Sequence, residues 1–277
     1  MSKSPARDLR GRVVAITGAG RGIGLATAAR FADLGARVVI GDLDDDVAAK
    51  AAAQVGGGAE GYVVDVADRG SFATFLARAE EQGPLEVLVN NAGIMPLSPL
   101  VEQSEESIDR ILDVNLRAVI TGTQLAARSM TARGRGSIVN VASAVGRIGM
   151  AGGAVYSASK FGVVGLSEAM AGELAPHGVD VSVVLPTVVA TELGVGVQAT
   201  RGMRPCTPEE VAAAIVSVAQ RPRFETWVPA YAKGIFYSSN TLPRRARDVI
   251  SHAMGADTSL SHVDREARAE YERRAQR

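Results

Sequence analysis

The chain has 277 residues, of which 47% are hydrophobic and 22% charged, so it can bury a sizeable core. Its 30 basic residues balance 30 acidic ones, which argues against nucleic acid as a partner and against general attraction to an anionic surface. The single cysteine, Cys206, excludes an internal disulfide and a cysteine-rich metal site, and it fits a reducing compartment.

Neither a leader peptide nor a membrane span is predicted. Residues 1–12 are polar and lack the apolar stretch of a signal peptide. No window of the sequence approaches the ~20 apolar residues that a bilayer span needs. We therefore expect a soluble, cytoplasmic protein.

Short apolar segments alternate along the chain with longer segments of helical pattern. The predicted strands are 12–18, 37–42, 60–66, 85–93, 136–143, 180–187 and 224–231. The predicted helices are 23–36, 44–55, 68–82, 104–132, 155–176 and 208–220. This alternation predicts βαβ units and an α/β fold whose parallel sheet is covered by helices on both faces.

No domain boundary is predicted before about residue 232. Beyond it the sequence is charged and helix-prone, with little to bury. We interpret residues 1–231 as one domain. Residues 232–277 are then a helical extension, packed on that domain or at an oligomer contact.

A glycine-rich turn, TGAGRGIG at 17–24, follows the first predicted strand. Glycine allows a tight turn and a close approach to a pyrophosphate, whose charge the following helix N-terminus stabilises. Gly18, Gly22 and Gly24 give the spacing G-x-x-x-G-x-G, and not the common G-x-G-x-x-G, because position 23 is Ile23. Any tight turn can need glycine, but the position after the first strand favours nucleotide binding.

Asp42 ends the second predicted strand, where an acidic side chain meets the hydroxyls of an adenosine ribose. A carboxylate there binds free hydroxyls and repels a 2′-phosphate, which favours NAD over NADP. Arg21 is a counter-signal, because its guanidinium would suit a phosphate. The alternative is that Asp42 is an ordinary turn residue, continued by Asp44 to Asp46.

Tyr156 and Lys160 lie one helical turn apart in the predicted helix 155–176. A free tyrosine has a pKa of about 10, and a nearby ammonium favours the phenolate. We therefore expect Lys160 to lower the pKa of Tyr156 towards neutrality, which suits proton transfer. A solvated helix face that carries the two residues by coincidence is the alternative.

Taken in order, these segments resemble the classical short-chain dehydrogenase/reductase family. The glycine turn and the acidic second strand are followed by NNAG at 90–93, a serine at 143 and Y-x-x-x-K at 156–160. The resemblance covers residues 10–231. It implies a Rossmann-type, doubly wound parallel sheet of about seven strands. It also implies an NAD(H)-dependent oxidoreductase that interconverts a secondary alcohol and a ketone.

The resemblance assigns four catalytic residues. Tyr156 matches the acid/base, and Lys160 the lysine that lowers its pKa and holds the nicotinamide ribose. Ser143 matches the serine that binds the substrate oxygen, and Asn115 the asparagine that organises a water-linked proton relay. Taken alone, Ser143 would be interpreted as a strand-end cap and Asn115 as an exposed helix residue.

The resemblance also implies a cofactor site on the strand ends and the loops after them. Asp65 and Val66 would touch adenine, residues 91–93 would pack on the adenosine side, and Thr191 would contact the carboxamide. The full set is Gly18, Gly20, Arg21, Gly22, Ile23, Gly24, Asp42, Asp65, Val66, Asn91, Ala92, Gly93, Tyr156, Lys160, Pro186, Thr187, Val189 and Thr191.

One departure from the family lies after the sixth predicted strand. The family has Pro-Gly there, and this chain has Pro186-Thr187. The added β-carbon narrows the space beside the nicotinamide or shifts the loop that leads to Thr191.

Three loops are expected to set specificity, at 94–100, 144–155 and 192–206. Their apolar composition favours an apolar small-molecule alcohol or ketone, such as a lipid-like, terpenoid or steroid-type molecule. Arg147 and Arg201 offer the alternative of an acidic tail on the substrate.

The sequence also gives expectations for metal binding and for assembly. No metal site is expected, because His177, His252 and His262 lack ligand spacing. The resemblance implies a homodimer or homotetramer, through the helices at 104–132 and 155–176.

Three alternative functions stay open. An NADPH-dependent 3-oxoacyl thioester reductase shares every catalytic residue, but Asp42 argues against it. A non-catalytic nucleotide-sensing protein shares the glycine turn, but it would not need Tyr156 and Lys160. A peripheral membrane enzyme would use residues 231–250 as an anchor, because apolar and basic residues adjoin there.

Overall fold

A seven-stranded parallel sheet organises this computed structural model, which describes residues 6–197, 204–243, 245–246, 249, 252, 260 and 263–275. The sheet order is β3-β2-β1-β4-β5-β6-β7. The strands are β1 (Val13–Thr17), β2 (Arg37–Asp42), β3 (Glu60–Val63), β4 (Leu85–Asn90), β5 (Gly136–Val141), β6 (Val179–Pro186) and β7 (Glu225–Val228). The prediction of a doubly wound parallel sheet is confirmed. Three predictions, for residues 198–203, for Arg201 and for His262, lie outside the described residues.

The predicted strands at 60–66, 85–93 and 136–143 extend too far at their carboxyl ends. The observed strands end at Val63, Asn90 and Val141. In each case the chain leaves the sheet for a loop whose backbone bonds to side chains. After β4, for example, the Asn91 N–H donates to the side-chain hydroxyl of Thr17 and not to a backbone carbonyl of the neighbouring strand β1.

Helices cover both faces of the sheet. They are α1 (Gly22–Asp33), α2 (Asp45–Val55), α3 (Arg69–Glu81), α4 (Glu105–Leu112), α5 (Ala118–Arg133), α6 (Ala154–Leu174) and α7 (Pro208–Gln220). The helix predicted as continuous at 104–132 is instead interrupted between α4 and α5 by a π-helical turn, Asp113–Arg117. Such turns change which residues face inward, and here Asn115 is fully buried.

The hydrophobic core consists of two layers, one on each face of the sheet. Successive residues of β1 point to opposite layers. Val14 and Ile16 join the layer under α1 and α7, and Val13 and Ala15 join the layer under α3 and α5. Because β1 is buried on both faces, its sequence is a continuous apolar run and not an alternating one.

Two of the helices that the structure describes after β7 pack on this sheet domain. Helix α8 (Tyr231–Asn240) buries Phe236, whose ring stacks on Trp227 of β7 with the centroids 5.2 Å apart. A helix near the C-terminus, α9 (Arg265–Ala275), buries Arg268 completely. The interpretation that this region has little to bury is therefore wrong for these residues, while a domain boundary near residue 231 stays a prediction. Within the described residues, no helix is both long and apolar enough to cross a bilayer.

The stack between α8 and β7 predicts a measurable loss of stability in Phe236→Ala. Removing a buried phenylalanine ring costs about 3 kcal/mol or more, because its transfer free energy is lost and a cavity is left. The matched control is Ile235→Ala, since Ile235 is 42% exposed on the same helix. Chemical denaturation should show a clearly lower free energy of unfolding for Phe236→Ala only. Equal values for the two variants would show that α8 does not contribute to the stability of the domain.

Candidate active site

The turn between β1 and α1 is shaped by glycine at two positions with left-handed backbone. These are Gly18, with φ 62°, and Gly22, with φ 54°. A β-carbon on Gly18 would lie 2.8 Å from the Ala92 Cα, so this turn packs directly on the chain after β4. Only glycine fits both requirements.

The N-terminus of α1 is open to an anion. Its first turn has no acidic residue, and no side chain caps it. In contrast, side chains cap the first turns of α2, α3, α4 and α7, namely Asp44, Asp68, Ser104 and Thr207. Uncapped N–H groups behind a glycine turn form an anion site of the kind that a dinucleotide pyrophosphate occupies. The residues present therefore fit the implied cofactor.

Asp42 lies beside this turn. Its Oδ2 accepts a hydrogen bond from the Gly20 N–H at 2.9 Å, and a β-carbon on Gly20 would lie 2.6 Å from the same oxygen. The carboxylate is thus fixed at the glycine turn and is more than an ordinary turn residue. The Arg21 guanidinium turns away to Glu192, with an Nη1 to Oε2 distance of 3.1 Å.

Asn91 and Thr17 fasten the end of β4 to the end of β1. The Asn91 Nδ2 donates to the carbonyls of Thr17 and Gly18, both at 2.9 Å. The Thr17 hydroxyl accepts from the N–H groups of Asn91 at 3.1 Å and Ala92 at 3.2 Å. The sequence analysis missed Thr17, whose only signal is its position at the end of the first strand.

Asn115 is buried and bonded to the chain that follows Gly93. Its Oδ1 accepts from the Ile94 N–H and its Nδ2 donates to the Ile94 carbonyl, both at 2.8 Å. The Nδ2 also lies 3.3 Å from the hydroxyl oxygen of Ser159, another residue that the sequence analysis missed. The alternative of an exposed helix residue is therefore wrong, because the π-helical turn directs Asn115 inward.

Tyr156, Lys160 and Ser143 come together beyond the ends of β5 and β6. Lys160 Nζ lies 5.8 Å from the centroid of the Tyr156 ring and donates to the Val141 carbonyl at 3.1 Å. The Ser143 hydroxyl donates to the Pro186 carbonyl at 3.4 Å. It also accepts from an N–H in the turn that it starts, so Ser143 is a cap as well as a member of this group. All three side chains are buried.

Burial controls the acidity of this group. It raises the pKa of Tyr156 to about 12, although a hydrogen bond with Ser143 has a smaller lowering effect. Burial also lowers the pKa of Lys160 to about 8. Burial of the phenol therefore opposes the lowering expected from the Lys160 ammonium, and the effect of Lys160 on the pKa of Tyr156 stays a prediction.

Gly93 lies between Asn115 and Lys160. A β-carbon on Gly93 would lie 3.3 Å from the Asn115 Oδ1 and 3.5 Å from Lys160 Nζ. The end of β4 thus brings the glycine turn and the buried lysine to one crevice. This is the point where the strand order reverses, which is where ligands bind in doubly wound sheets.

The segment after β6 holds Thr187 against β7 and Cys206. The Thr187 N–H donates to the Val228 carbonyl at 2.9 Å, and its hydroxyl lies 3.5 Å from the Cys206 sulfur. Val189 pairs with the same Cys206. The Thr191 methyl then lies 3.3 Å from the position of a β-carbon on Gly22, so Thr191 faces the glycine turn.

Asp65 and Val66 follow β3, the strand next to β2. The Asp65 Oδ1 accepts from the Ala67 N–H at 3.0 Å and lies 3.7 Å from the Arg110 Nη1. Val66 is buried in the layer under α3 and α5. Both therefore lie at the same sheet edge as Asp42.

The surroundings of Tyr156 are apolar. Met95 and Leu97 from the first specificity loop form one cluster with Tyr156 and with Leu260, which the sequence analysis missed. Arg147 does not face this cluster as a free cation, because it pairs with Glu225 at 2.8 Å. The described part of the site therefore gives no support to an acidic substrate tail bound by Arg147.

Comparisons with known proteins agree with this geometry. A family described as short chain dehydrogenase matches residues 12–202. D-threitol dehydrogenase of Mycolicibacterium smegmatis is 43% identical over 190 residues, which are 67% of this chain and 73% of that protein. 3-Oxoacyl-[acyl-carrier-protein] reductase FabG of Thermotoga maritima is 40% identical, over 67% of this chain and 77% of that protein.

A solved structure also matches the fold of this chain. The crystal structure of a short-chain type dehydrogenase/reductase from Mycobacterium marinum matches with a TM-score of 0.73 and 29% sequence identity. The match covers 79% of this chain and 94% of that one.

The buried ammonium predicts that Lys160→Met stabilises the protein at neutral pH. Because burial lowers the pKa of Lys160 from 10.5 to about 8, folding with the proton bound costs up to ~3 kcal/mol. Loss of the hydrogen bond to the Val141 carbonyl offsets ~1 kcal/mol of the gain. We expect the variant to be more stable by about 2 kcal/mol at pH 7.

The extra stability of Lys160→Met should depend on pH. Between about pH 8 and 10.5 the unfolded chain binds the proton that the folded chain has lost, so wild-type stability rises with pH. The advantage of Lys160→Met should therefore shrink in denaturation curves recorded from pH 7 to pH 10. The control Lys50→Met removes an exposed lysine and should show no such trend. A difference that stays constant with pH would contradict the assignment.

Proposed function

The chain belongs to the short-chain dehydrogenase family and is an oxidoreductase of alcohols and ketones, and from that premise we propose that it uses NAD and acts on an apolar secondary alcohol or the matching ketone. The observation that carries the proposal is one crevice. It joins an uncapped helix N-terminus, a carboxylate at the glycine turn, and a buried tyrosine, lysine and serine.

Asp42 supports the choice of NAD. A cofactor with a free ribose 2′-hydroxyl gains a hydrogen bond from a carboxylate at this place, whereas a 2′-phosphate meets a like charge. Arg21, the residue that would favour NADP, is paired with Glu192.

The catalytic roles follow from the positions of the side chains. Tyr156 and Ser143 hold the substrate oxygen, and Tyr156 gives it a proton or takes one. Since burial raises the pKa of Tyr156 to about 12, its phenol is protonated at neutral pH and ready to donate to a ketone oxygen. NAD, when bound, supplies the hydride acceptor and in its reduced form the hydride donor.

Lys160 and Asn115 act in proton transfer, and Lys160 also binds the cofactor. With its pKa lowered to about 8, Lys160 is still an ammonium at neutral pH and holds a ribose hydroxyl while it favours the phenolate. Asn115, held at both ends of its amide, keeps the chain at Ile94 fixed beside Lys160. Together they return the proton to solvent in the oxidation direction.

The apolar surroundings of Tyr156 support an apolar substrate. Tyr156 shares a buried hydrophobic cluster with Met95, Leu97 and Leu260. A sugar alcohol, which D-threitol dehydrogenase is named for, would leave hydroxyl groups unpaired against such a wall. An NADPH-dependent 3-oxoacyl thioester reductase is the second candidate, favoured by the similarity to FabG and opposed by Asp42.

Assembly as a homodimer or homotetramer is part of the proposal. Ile120 on α5 and Phe161 on α6 are 44% and 45% exposed. Large apolar side chains on two adjacent helices suit a contact between copies of the chain. The cytoplasmic location, and the lack of nucleic-acid and membrane partners, stay predictions from composition.

The first test is nicotinamide reduction with a panel of secondary alcohols, with NAD and NADP in parallel. Tyr156→Phe should lower kcat by about a thousandfold and leave the Kd for NAD within about threefold, because only the proton transfer is lost. Tyr231→Phe, at a 49% exposed position, is the control and should behave as wild type. Turnover that survives in Tyr156→Phe would refute the assigned acid/base.

A second test addresses cofactor choice. Asp42→Asn removes the charge and keeps the shape, so kcat/KM with NADP relative to NAD should rise at least about tenfold. Asp46→Asn, at an exposed position on α2, is the matched control. A wild-type protein that already prefers NADP would overturn the role of Asp42 and leave the catalytic group untouched.

A further inference from the structure

Arg268 of α9 is fully buried, although burying a charged side chain costs free energy. Its guanidinium binds backbone carbonyls of two separate loops: Nη1 donates to Leu193 at 3.1 Å and to Val195 at 2.7 Å, and Nη2 donates to Met95 at 2.6 Å. Nε pairs with Glu272 at 3.2 Å. A buried cation is tolerated only when its donors are satisfied in this way. Arg268 therefore joins the loops at 94–100 and 192–197.

Tyr271, almost one helical turn further along α9, completes the same attachment. Its hydroxyl oxygen accepts the Met95 N–H at 2.6 Å. Its ring lies against the Arg268 guanidinium, with 5.0 Å from Cζ to the centroid. Both backbone polar groups of Met95 are thus bound by α9. This residue cannot shift without breaking a hydrogen bond to α9.

The attached loops are those that border Tyr156. The Met95 side chain packs in one cluster with Leu97, Tyr156 and Leu260, and Leu193 packs against that cluster. Leu260, shortly before α9, also lies over the start of α6, because a β-carbon on Gly153 would be 2.8 Å from its Cδ1. The apolar wall beside the catalytic tyrosine is therefore built from loops that α9 holds.

Two further contacts tie α9 to the site. Gly196 has φ 72°, and a β-carbon there would lie 2.8 Å from the Asp264 carbonyl at the start of α9. Arg274 pairs with Glu192 at 2.9 Å, and Glu192 in turn pairs with Arg21 of the glycine turn. The α9 residues that make this attachment lie outside residues 12–202, the part of the chain that the family match covers, whereas the loops that they hold lie inside it.

We propose that Arg268 is a positioning residue for substrate selection: it holds the loops at Met95 and at Leu193–Val195 so that Met95, Leu97 and Leu260 form an apolar wall against Tyr156. The wall restricts the substrate to a compact, apolar secondary alcohol or ketone. This inference rests on the proposed function and adds a size and polarity limit to it. Arg268 itself touches neither substrate nor cofactor.

The first experiment compares Arg268→Met with Arg273→Met, which removes an exposed arginine from the same helix. Steady-state kinetics with NAD would use cyclohexanol as the compact alcohol, and a bulky bicyclic alcohol and a polyol as competitors. Arg268→Met should raise KM for cyclohexanol and reduce its kcat/KM advantage over both competitors by about tenfold or more. KM for NAD should not change. Wild-type selectivity in Arg268→Met would overturn the proposal.

The second experiment needs no turnover. Hydrogen–deuterium exchange of the full chain with NAD present should show faster exchange at residues 93–97 and 192–197 in Arg268→Met, and no change in Arg273→Met. If Arg268→Met does not fold, Tyr271→Phe replaces it, since it removes only the acceptor of the Met95 N–H. Unchanged exchange at Met95 in Tyr271→Phe would refute the attachment.

The two experiments separate this inference from the proposed function. Wild-type turnover with unchanged selectivity in Arg268→Met refutes the role of Arg268 and leaves the oxidoreductase assignment standing. A wild-type protein that turns over polyols in preference to cyclohexanol refutes the apolar wall and the substrate class together. Faster exchange with a loss of selectivity supports the proposal.

Discussion

A buried ammonium is the constraint on which the rest of the site depends. Lys160 is held by one carbonyl, that of Val141, and lies against the ring of Tyr156. Gly93 borders both Lys160 and Asn115, and a β-carbon there would lie 3.5 Å from Lys160 Nζ and 3.3 Å from the Asn115 Oδ1. The same burial sets both pKa values of the pair, so the proton chemistry follows from packing as much as from the identity of the two residues. Burying the Lys160 ammonium lowers the free energy of unfolding, as is common where a functional site holds a buried charge.

The glycine turn and the catalytic group lie in one crevice because the ends of β1 and β4 are fastened together. The Asn91 side chain donates to the Thr17 carbonyl, and the Thr17 hydroxyl accepts from the Asn91 N–H, so hydrogen bonds join the two strand ends. Gly18 packs on Ala92 at a distance that excludes any larger residue. The cofactor side and the catalytic side of the crevice therefore have a common rigid base. Loops vary more among relatives than the elements that they connect, and here α9 holds the loops at Met95 and at Leu193–Val195.

Much of this arrangement was predictable from the sequence, since periodicity and turn chemistry are local signals. The run VVAIT predicts a strand, the glycine turn predicts the start of a helix, and the Tyr156–Lys160 spacing predicts a further helix. The resemblance to a family then combined these elements into one fold. The pKa of Tyr156 was not predictable, because it depends on burial by distant segments. Asn115 was assigned to the site only through the resemblance, and taken alone it was interpreted as exposed, since a π-helical turn has no sequence pattern as clear as a cap. Arg268 was interpreted as one more charge in a polar tail, because nothing near it in sequence shows that carbonyls more than seventy residues away will surround it.

The position of α9 after every other element of the site also fixes the order in which the parts of the site are synthesised. Met95 and Arg268 are separated by 173 residues, whereas every residue assigned to the catalytic group and the cofactor precedes residue 192. A chain leaves the ribosome from its N-terminus at roughly 5–20 residues per second. The sheet, the glycine turn and the tyrosine–lysine pair are therefore synthesised well before the segment that encloses them. During that interval the growing chain contains the tyrosine–lysine pair without the segment that covers it, and residues translated later add the wall that we propose.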